Sequence, residues 1–162
     1  MSQTTRIQIT DVSKIYDTGS KKVEAVKNFT ESVKDGEFVS IVGASGCGKT
    51  TLLKVAAGLL KPQKGQIRLL NRSVFQPESS MGFVFQAPTL LNWLSVMDNV
   101  LLPLSLHHHI APEERKYAHH LLSQMGLSEK TNELPERLSG GQQSRVAIAR
   151  ALITRPKVLF MD

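Results

Sequence analysis

Eight residues, Gly43-Ala44-Ser45-Gly46-Cys47-Gly48-Lys49-Thr50, satisfy the spacing G-x-x-x-x-G-K-[ST]. Glycines at these positions permit positive φ, so successive amide N–H groups can turn inward around a phosphate. A helix that follows points its positive end at the same anion. Lys49 adds a mobile point charge for β- and γ-phosphates, and the Thr50 hydroxyl can replace one water in the octahedral oxygen shell of Mg2+. The bland alternative is a glycine-rich turn capping a helix. At average residue frequencies the pattern would arise by accident in only about one chain in a hundred of this length, so nucleotide binding is the expectation. Cys47 reads as a small side chain in a tight loop rather than a redox centre.

A second glycine run, Leu138-Ser139-Gly140-Gly141-Gln142, places a Ser and two unobstructed amides at the start of a helix, which is another ready anion site. Taken alone it could be an ordinary N-cap. A carboxylate, Asp162, stands at the tip of the apolar run Lys157-Val158-Leu159-Phe160-Met161. Three consecutive histidines, His107 to His109, cannot converge on one ion from a helix or loop and read as a solvated surface, as do His119 and His120. Arg145, Arg150 and Arg155 read as helix-surface residues or partners of a helix C-terminus.

These groups need elements to hold them. Arg6 to Val12 alternates through Ile7, Ile9 and Val12, and Val23 to Val33 is a second alternating stretch, with a turn at residues 17–20, which predicts an antiparallel layer. Asp35-Gly36 turns into Glu37 to Val42, a buried-type strand entering the glycine loop. A helix from Lys49 would place Leu52, Leu53, Ala56 and Leu59 or Leu60 on one face and stop near Gly58 and Pro62. Strands are expected at Gly65 to Leu70 and Met81 to Gln86. A helix from Ser95 to Leu104 should break near Pro103, and another should span Pro112 to Met125 with Gly126 past its end. A last helix opens at Ser139-Gly140-Gly141 and runs to Ile153, before a buried terminal strand. No internal repeat or low-complexity tract interrupts this order.

Composition narrows the function classes. The 162 residues are 41% apolar with a formal charge of +6, which fits one soluble globular domain. No apolar run reaches membrane-spanning length and the N-terminus is not that of a secretory signal, so the cytoplasm is the expected compartment. The lone Cys47 cannot form an intrachain bridge and fits a reducing environment. The 20 Lys and Arg are scattered without interleaved aromatics, which argues against nucleic acid. A chain that stops on a buried parallel strand is expected to be the N-terminal part of a larger domain.

With its two glycine motifs and the terminal strand, the chain resembles the ABC ATPases along its whole length. The resemblance implies an α/β P-loop NTPase core with an N-terminal antiparallel β layer and a helical subdomain at about 87–138, all within one nucleotide-binding domain of residues 1–162 that is incomplete at its C-terminus. It implies ATP and Mg2+ as ligands. Tyr16 falls where the family stacks an aromatic on adenine, and Gly43, Ser45, Gly46, Cys47, Gly48, Lys49, Thr50 and Thr51 form the phosphate site. Gln86 falls at the Q-loop near Mg2+ and the attacking water, and Asp162 ends the second nucleotide motif beside the metal, so Thr50, Gln86 and Asp162 are the implied metal-facing set. Lys49, Gln86 and Asp162 carry the implied catalytic roles. Such domains close head to tail, so Ser139, Gly140, Gly141 and Gln142 would meet the γ-phosphate of a second subunit's ATP.

The segment Phe83 to Val100 further resembles the importer branch handling nitrate, sulfonates and taurine, although that branch usually has Pro where Asn92 stands. Its surface would receive a membrane permease at the cytoplasmic face, with an exposed apolar patch around Leu90, Leu91 and Trp93 and a solute-binding protein as an indirect partner. For Trp93 the alternative is core packing; for Tyr16, a half-buried aromatic at a strand end. The family's glutamate after the aspartate, its D-loop and its later histidine are not among residues 1–162. Residues 1–162 alone are therefore expected to bind MgATP but to turn over negligibly and to be poorly stable. Two other readings remain open: a nucleotide-binding remnant without catalysis, and a soluble ABC ATPase outside transport. A P-loop kinase or GTPase would not explain Leu138 to Gln142.

Overall fold

Alternation in the first residues becomes β1 (Thr5–Asp17), which pairs antiparallel with β2 (Lys22–Lys34) and, on its other side, with β3 (Lys64–Leu69). The computed structural model describes residues 5–17 and 19–162; Thr18 of the expected turn lies outside the described residues. The two-residue β4 (Arg72–Ser73) pairs with β3 and completes the sheet order β2-β1-β3-β4. Ile7 and Ile9 face the core by strict alternation, yet Val12 is also buried. A register shift between Ile9 and Val12, with Asp11 at φ 49°, moves Val12 back to the apolar side. Val26, Ile67 and Leu69 share this core.

The helix after the glycine loop, α1 (Lys49–Ala56), buries Leu52, Val55 and Ala56. The expected face is thus rotated: Val55 is fully buried, whereas Leu59 is exposed. The segment 37–42 departs from expectation. It is not a strand, and Phe38 and Val42 are 91% and 89% exposed. A strand owes its hydrogen bonds to its neighbours, and among the described residues no strand forms a ladder with 37–42. The apolar side chains therefore have no sheet face to enter.

Residues from Ser79 onward form a second compact unit, the first ending at Glu78. Here β5 (Met81–Val84) and β6 (Val158–Met161) pair in parallel, Phe83 opposite Phe160. The strand β5 ends two residues before Gln86, and in β6 only Phe160 is buried, Met161 being exposed. Between them run α2 (Val96–Ser105), α3 (Pro112–Gln124) and α4 (Gly140–Leu152). Their apolar faces meet through Val96, Val100, Leu101, Leu121, Leu122 and Val146, each large side chain contributing about 1.5–3 kcal/mol by leaving water.

Pro103 does not break α2, which continues to Ser105. It stands in the last turns, where its ring removes a single helix hydrogen bond and the terminus is closed by Leu106 N–H donating to Leu102 O. The helix starts at Ser95, whose Oγ accepts the Asp98 N–H at 3.1 Å. Pro112 opens α3 and Gly126, at φ 68°, follows its end. No helix among the described residues is long and apolar enough to cross a membrane.

Candidate nucleotide-binding site

The glycine loop is open to solvent from Gly43 to Cys47 and delivers its last glycine, Gly48, to the N-cap of α1 at φ 102°. A Cβ at Gly48 would overlap the carbonyl oxygen of Ala25, so both conformation and space require glycine there. No side chain caps the helix and its first turn holds no acidic residue. The positive end of its dipole thus favours an anion at the glycine loop. The Lys49 ammonium donates to Gly43 O at 2.9 Å, Ala44 O at 2.7 Å and the Cys47 thiol at 3.7 Å. The cation is thereby held at the loop's mouth.

Beside this loop, β1 presents Tyr16, 39% exposed, whose hydroxyl lies 3.4 Å from that of Thr51 on the first turn of α1. The Lys14 ammonium sits 5.7 Å from the ring centroid. The structure thus places an aromatic face beside the first turn of the helix that follows the glycine loop.

Gln86 and Asp162 share a different edge. Both follow the C-terminal ends of the parallel pair β5 and β6, and the Asp162 N–H donates to Val84 O at 3.0 Å. Ligands of α/β sheets collect at such strand ends. The hydroxyl of Thr50, the amide oxygen of Gln86 and the carboxylate of Asp162 are hard oxygen donors, the chemistry that Mg2+ takes.

At the start of α4, Ser139 Oγ accepts the Gln142 N–H at 3.3 Å and Gln142 Oε1 accepts the Ser139 N–H at 2.9 Å, a reciprocal cap worth about 1 kcal/mol. Gly140 and Gly141 are exposed, and a Cβ on either would meet nothing within 4 Å. The phosphate loop and Tyr16 thus belong to the first unit; Gln86, Ser139 to Gln142 and Asp162 belong to the second.

Two residues of the second unit depart from their sequence reading, Arg150 because it was expected on a helix surface or at a helix C-terminus and Asn99 because it was not singled out. Arg150 on α4 is half-buried, not a surface residue. Its Nη1 donates to Thr89 O at 2.9 Å, and its Nη2 donates to Pro88 O at 2.9 Å and Thr89 Oγ1 at 3.0 Å. Burial pushes its guanidinium below the ordinary range. Asn99, fully buried on α2, accepts the Leu91 N–H at 2.8 Å, and its Nδ2 donates to Leu91 O, Leu94 O and Ser95 O, each at 3.0 Å. The available signal was an amide side chain between Val96 and Val100 on an apolar helix face. The loop these two hold carries Trp93, which is 75% exposed and so not a core residue. Arg145 donates to Met125 O at the end of α3, while Arg155 lies over the Tyr117 ring at 4.4 Å. The exposed His108 contacts Glu114 at 2.8 Å rather than its histidine neighbours.

Comparison with known proteins gives the family. The ABC transporter family matches residues 26–162. The lipoprotein-releasing system ATP-binding protein LolD of Acinetobacter baylyi is 40% identical over 96% of this chain and 73% of its own length. The taurine import ATP-binding protein TauB of Ruegeria pomeroyi is 38% identical over 96% of this chain and 59% of its own. Among solved structures, the dimeric ATP-binding cassette MJ0796 bound to ADP and Pi superposes with a TM-score of 0.87 at 37% identity, over 96% of this chain and 73% of that one. The fold is that of a P-loop ATP-binding cassette, and the chain belongs to the ABC transporter family as one of its ATP-hydrolysing, ATP-binding domains.

Proposed function

We propose that this chain binds MgATP as the energy-supplying subunit of a membrane importer for a small solute of the nitrate, sulfonate or taurine kind. The observation that carries the nucleotide reading is the Gly43 to Thr50 loop, where Lys49 stands at the mouth of an uncapped helix start. Tyr16 would stack on adenine, Gly43, Ser45, Gly46, Cys47 and Gly48 would present amides to the phosphates, and Thr50 and Thr51 would add hydroxyls. Lys49 would hold the β- and γ-phosphates. Thr50, Gln86 and Asp162 would face Mg2+, which when bound neutralises charge on the transferring phosphate. Gln86 would orient the attacking water.

Ser139, Gly140, Gly141 and Gln142 would contact the γ-phosphate bound by a second copy in a head-to-tail dimer. The open Gly140 and Gly141 support that role, since their amides can be approached from outside. The helical segment at about 87–138 would act as a subdomain that meets a permease at the cytoplasmic face of the membrane, with a solute-binding protein beyond it. The exposed Trp93 beside half-buried Leu90 and Leu91 supports this docking role. The relatives include an importer subunit and a lipoprotein-releasing subunit at nearly equal identity, so the solute class rests on residues 83–100 alone.

Calorimetric titration with ATP tests the proposal. Lys49→Ala should weaken affinity at least tenfold, one charge-assisted contact being worth about 1.5–3 kcal/mol. Affinity equal to that of the unaltered chain would remove the phosphate site and the functional reading with it.

A further inference from the structure

The ladder between β1 and β3 ends at Ser13 opposite Lys64, so the backbone of β1 beyond Ser13 needs another partner on that edge. Gln63, the residue before β3, supplies one. Its own N–H donates to Ser13 O at 2.9 Å. Its side-chain amide takes both backbone polar groups of Ile15: Oε1 accepts the Ile15 N–H at 2.9 Å and Nε2 donates to Ile15 O at 2.7 Å. A primary amide offers the donor and the acceptor of a peptide group, so Gln63 lengthens the ladder by one pair. The same segment holds Lys14, whose ammonium donates to Lys61 O at 2.8 Å while standing 5.7 Å from the Tyr16 ring centroid.

These contacts bracket Tyr16. Residues 61–63 follow α1 in the chain, and Thr51, whose hydroxyl lies 3.4 Å from that of Tyr16, is in the first turn of α1. One helix therefore carries the glycine loop at its start, and the chain at both of its ends grips residues 14–16. We infer that Gln63 is a positioning residue for the nucleotide base: its amide pins Ile15 and so fixes the distance between the Tyr16 ring and the phosphates held by the Gly43 to Thr50 loop. Gln63 is exposed, so the core does not depend on its side chain. The inference rests on the proposed stacking role of Tyr16.

Calorimetry on the full chain, with ATP and inorganic tripolyphosphate as probes, tests it. Gln63→Met, which keeps the length but loses the amide, and Gln63→Ala should each weaken ATP binding roughly three- to fivefold, less than the roughly tenfold expected when the ring itself is removed. Tripolyphosphate has no base to stack, and its affinity should stay within about 1.5-fold. In a Tyr16→Ala background the same substitutions should change ATP affinity by less than about 1.5-fold, since a residue that acts through the ring then has nothing to position. Exchange of the Ile15 amide proton should rise while the urea midpoint barely moves. Full ATP affinity in the Gln63 variants, where Tyr16→Ala has lost it, overturns the inference. So does an equal loss of tripolyphosphate affinity, a further loss of ATP affinity in the Tyr16→Ala background, or unchanged Ile15 exchange. If Tyr16→Ala itself binds ATP as tightly as the unaltered chain, the stacking role and the inference both fall. Absence of any ATP heat in the unaltered chain removes the nucleotide reading and the inference together.

Discussion

The Tyr16 hydroxyl lies 3.4 Å from the Thr51 hydroxyl, which ties the aromatic ring of β1 to the first turn of α1. A ring held there can stack on a base whose phosphates are gripped by the loop. Tyr16→Ala should weaken ATP binding roughly tenfold or more, given about 1–3 kcal/mol for stacking one base on an aromatic side chain. Tyr16→Phe should retain most affinity. Inorganic tripolyphosphate, which has no base, should bind both variants equally well in calorimetry; a parallel loss of tripolyphosphate affinity would assign Tyr16 to the loop's structure instead.

Gly48 and Gly140 should respond oppositely to alanine. Gly48 sits at φ 102° with no room for a Cβ beside Ala25 O, so Gly48→Ala should cost about 2–4 kcal/mol in urea unfolding and abolish ATP binding. Gly140 lies in a helix with open space around it, so Gly140→Ala should leave stability unchanged or raise it by about 0.5–1 kcal/mol. If Gly140→Ala then weakens ATP-dependent dimer formation in sedimentation, its role is at the second copy's nucleotide.

Much of this site is legible in the sequence because its signals are local. The glycine spacing, Lys49 and the Ser139–Gln142 reciprocal cap depend on residues within a few positions of one another, and the structure places them as local rules require. Segment 37–42 was not legible. Its apolar composition suits a buried strand, but a strand exists only through partners elsewhere in the chain, and Phe38 to Val42 have no ladder among the described residues. Val12 shows the same limit on a smaller scale: its burial needs the register shift at Asp11, which period-two alternation cannot announce. Arg150 was read as a helix-surface residue because its bonds to Pro88 and Thr89 cross 62 and 61 positions of sequence.

Glu114 gives unit two an acid-sensitive helix start. One of its oxygens accepts the Ala111 N–H at 2.8 Å and the other contacts His108 Nε2 at 2.8 Å. The backbone bond, followed by His108, holds the carboxyl below its ordinary value of 4.5. A carboxyl with a lowered folded-state value binds its proton more readily in the unfolded chain. Its contribution is therefore full above about pH 4.5 and is lost as pH falls through the folded-state value. The urea midpoint of Glu114→Gln should lie below that of the unaltered chain near neutrality, and the two should converge in acid. A gap that persists undiminished at low pH would mean the carboxylate's charge contributes nothing.

Asn99 should prove less replaceable than any apolar residue of the same core. It is fully buried and satisfies four backbone groups of residues 91–95. Leu91 O and Ser95 O also accept the Leu94 and Asn99 backbone N–H groups, so removing the side chain strips the Leu91 N–H and Leu94 O above all, at about 1–3 kcal/mol for each that stays unsatisfied. Asn99→Ala should therefore cost about 3–5 kcal/mol in urea unfolding, a large part of a domain's usual margin of about 5–15 kcal/mol. The sharper comparison is Asn99→Asp. The carboxylate still accepts the Leu91 N–H, but it faces the oxygens of Leu91, Leu94 and Ser95 with no proton to offer, and it is charged in an apolar core. Asp should thus be worse than Ala near neutral pH and recover towards it in acid, where protonation restores one donor. An aspartate as stable as asparagine at neutral pH would show that the three donated bonds hold nothing, and that the Trp93 loop is shaped by packing alone.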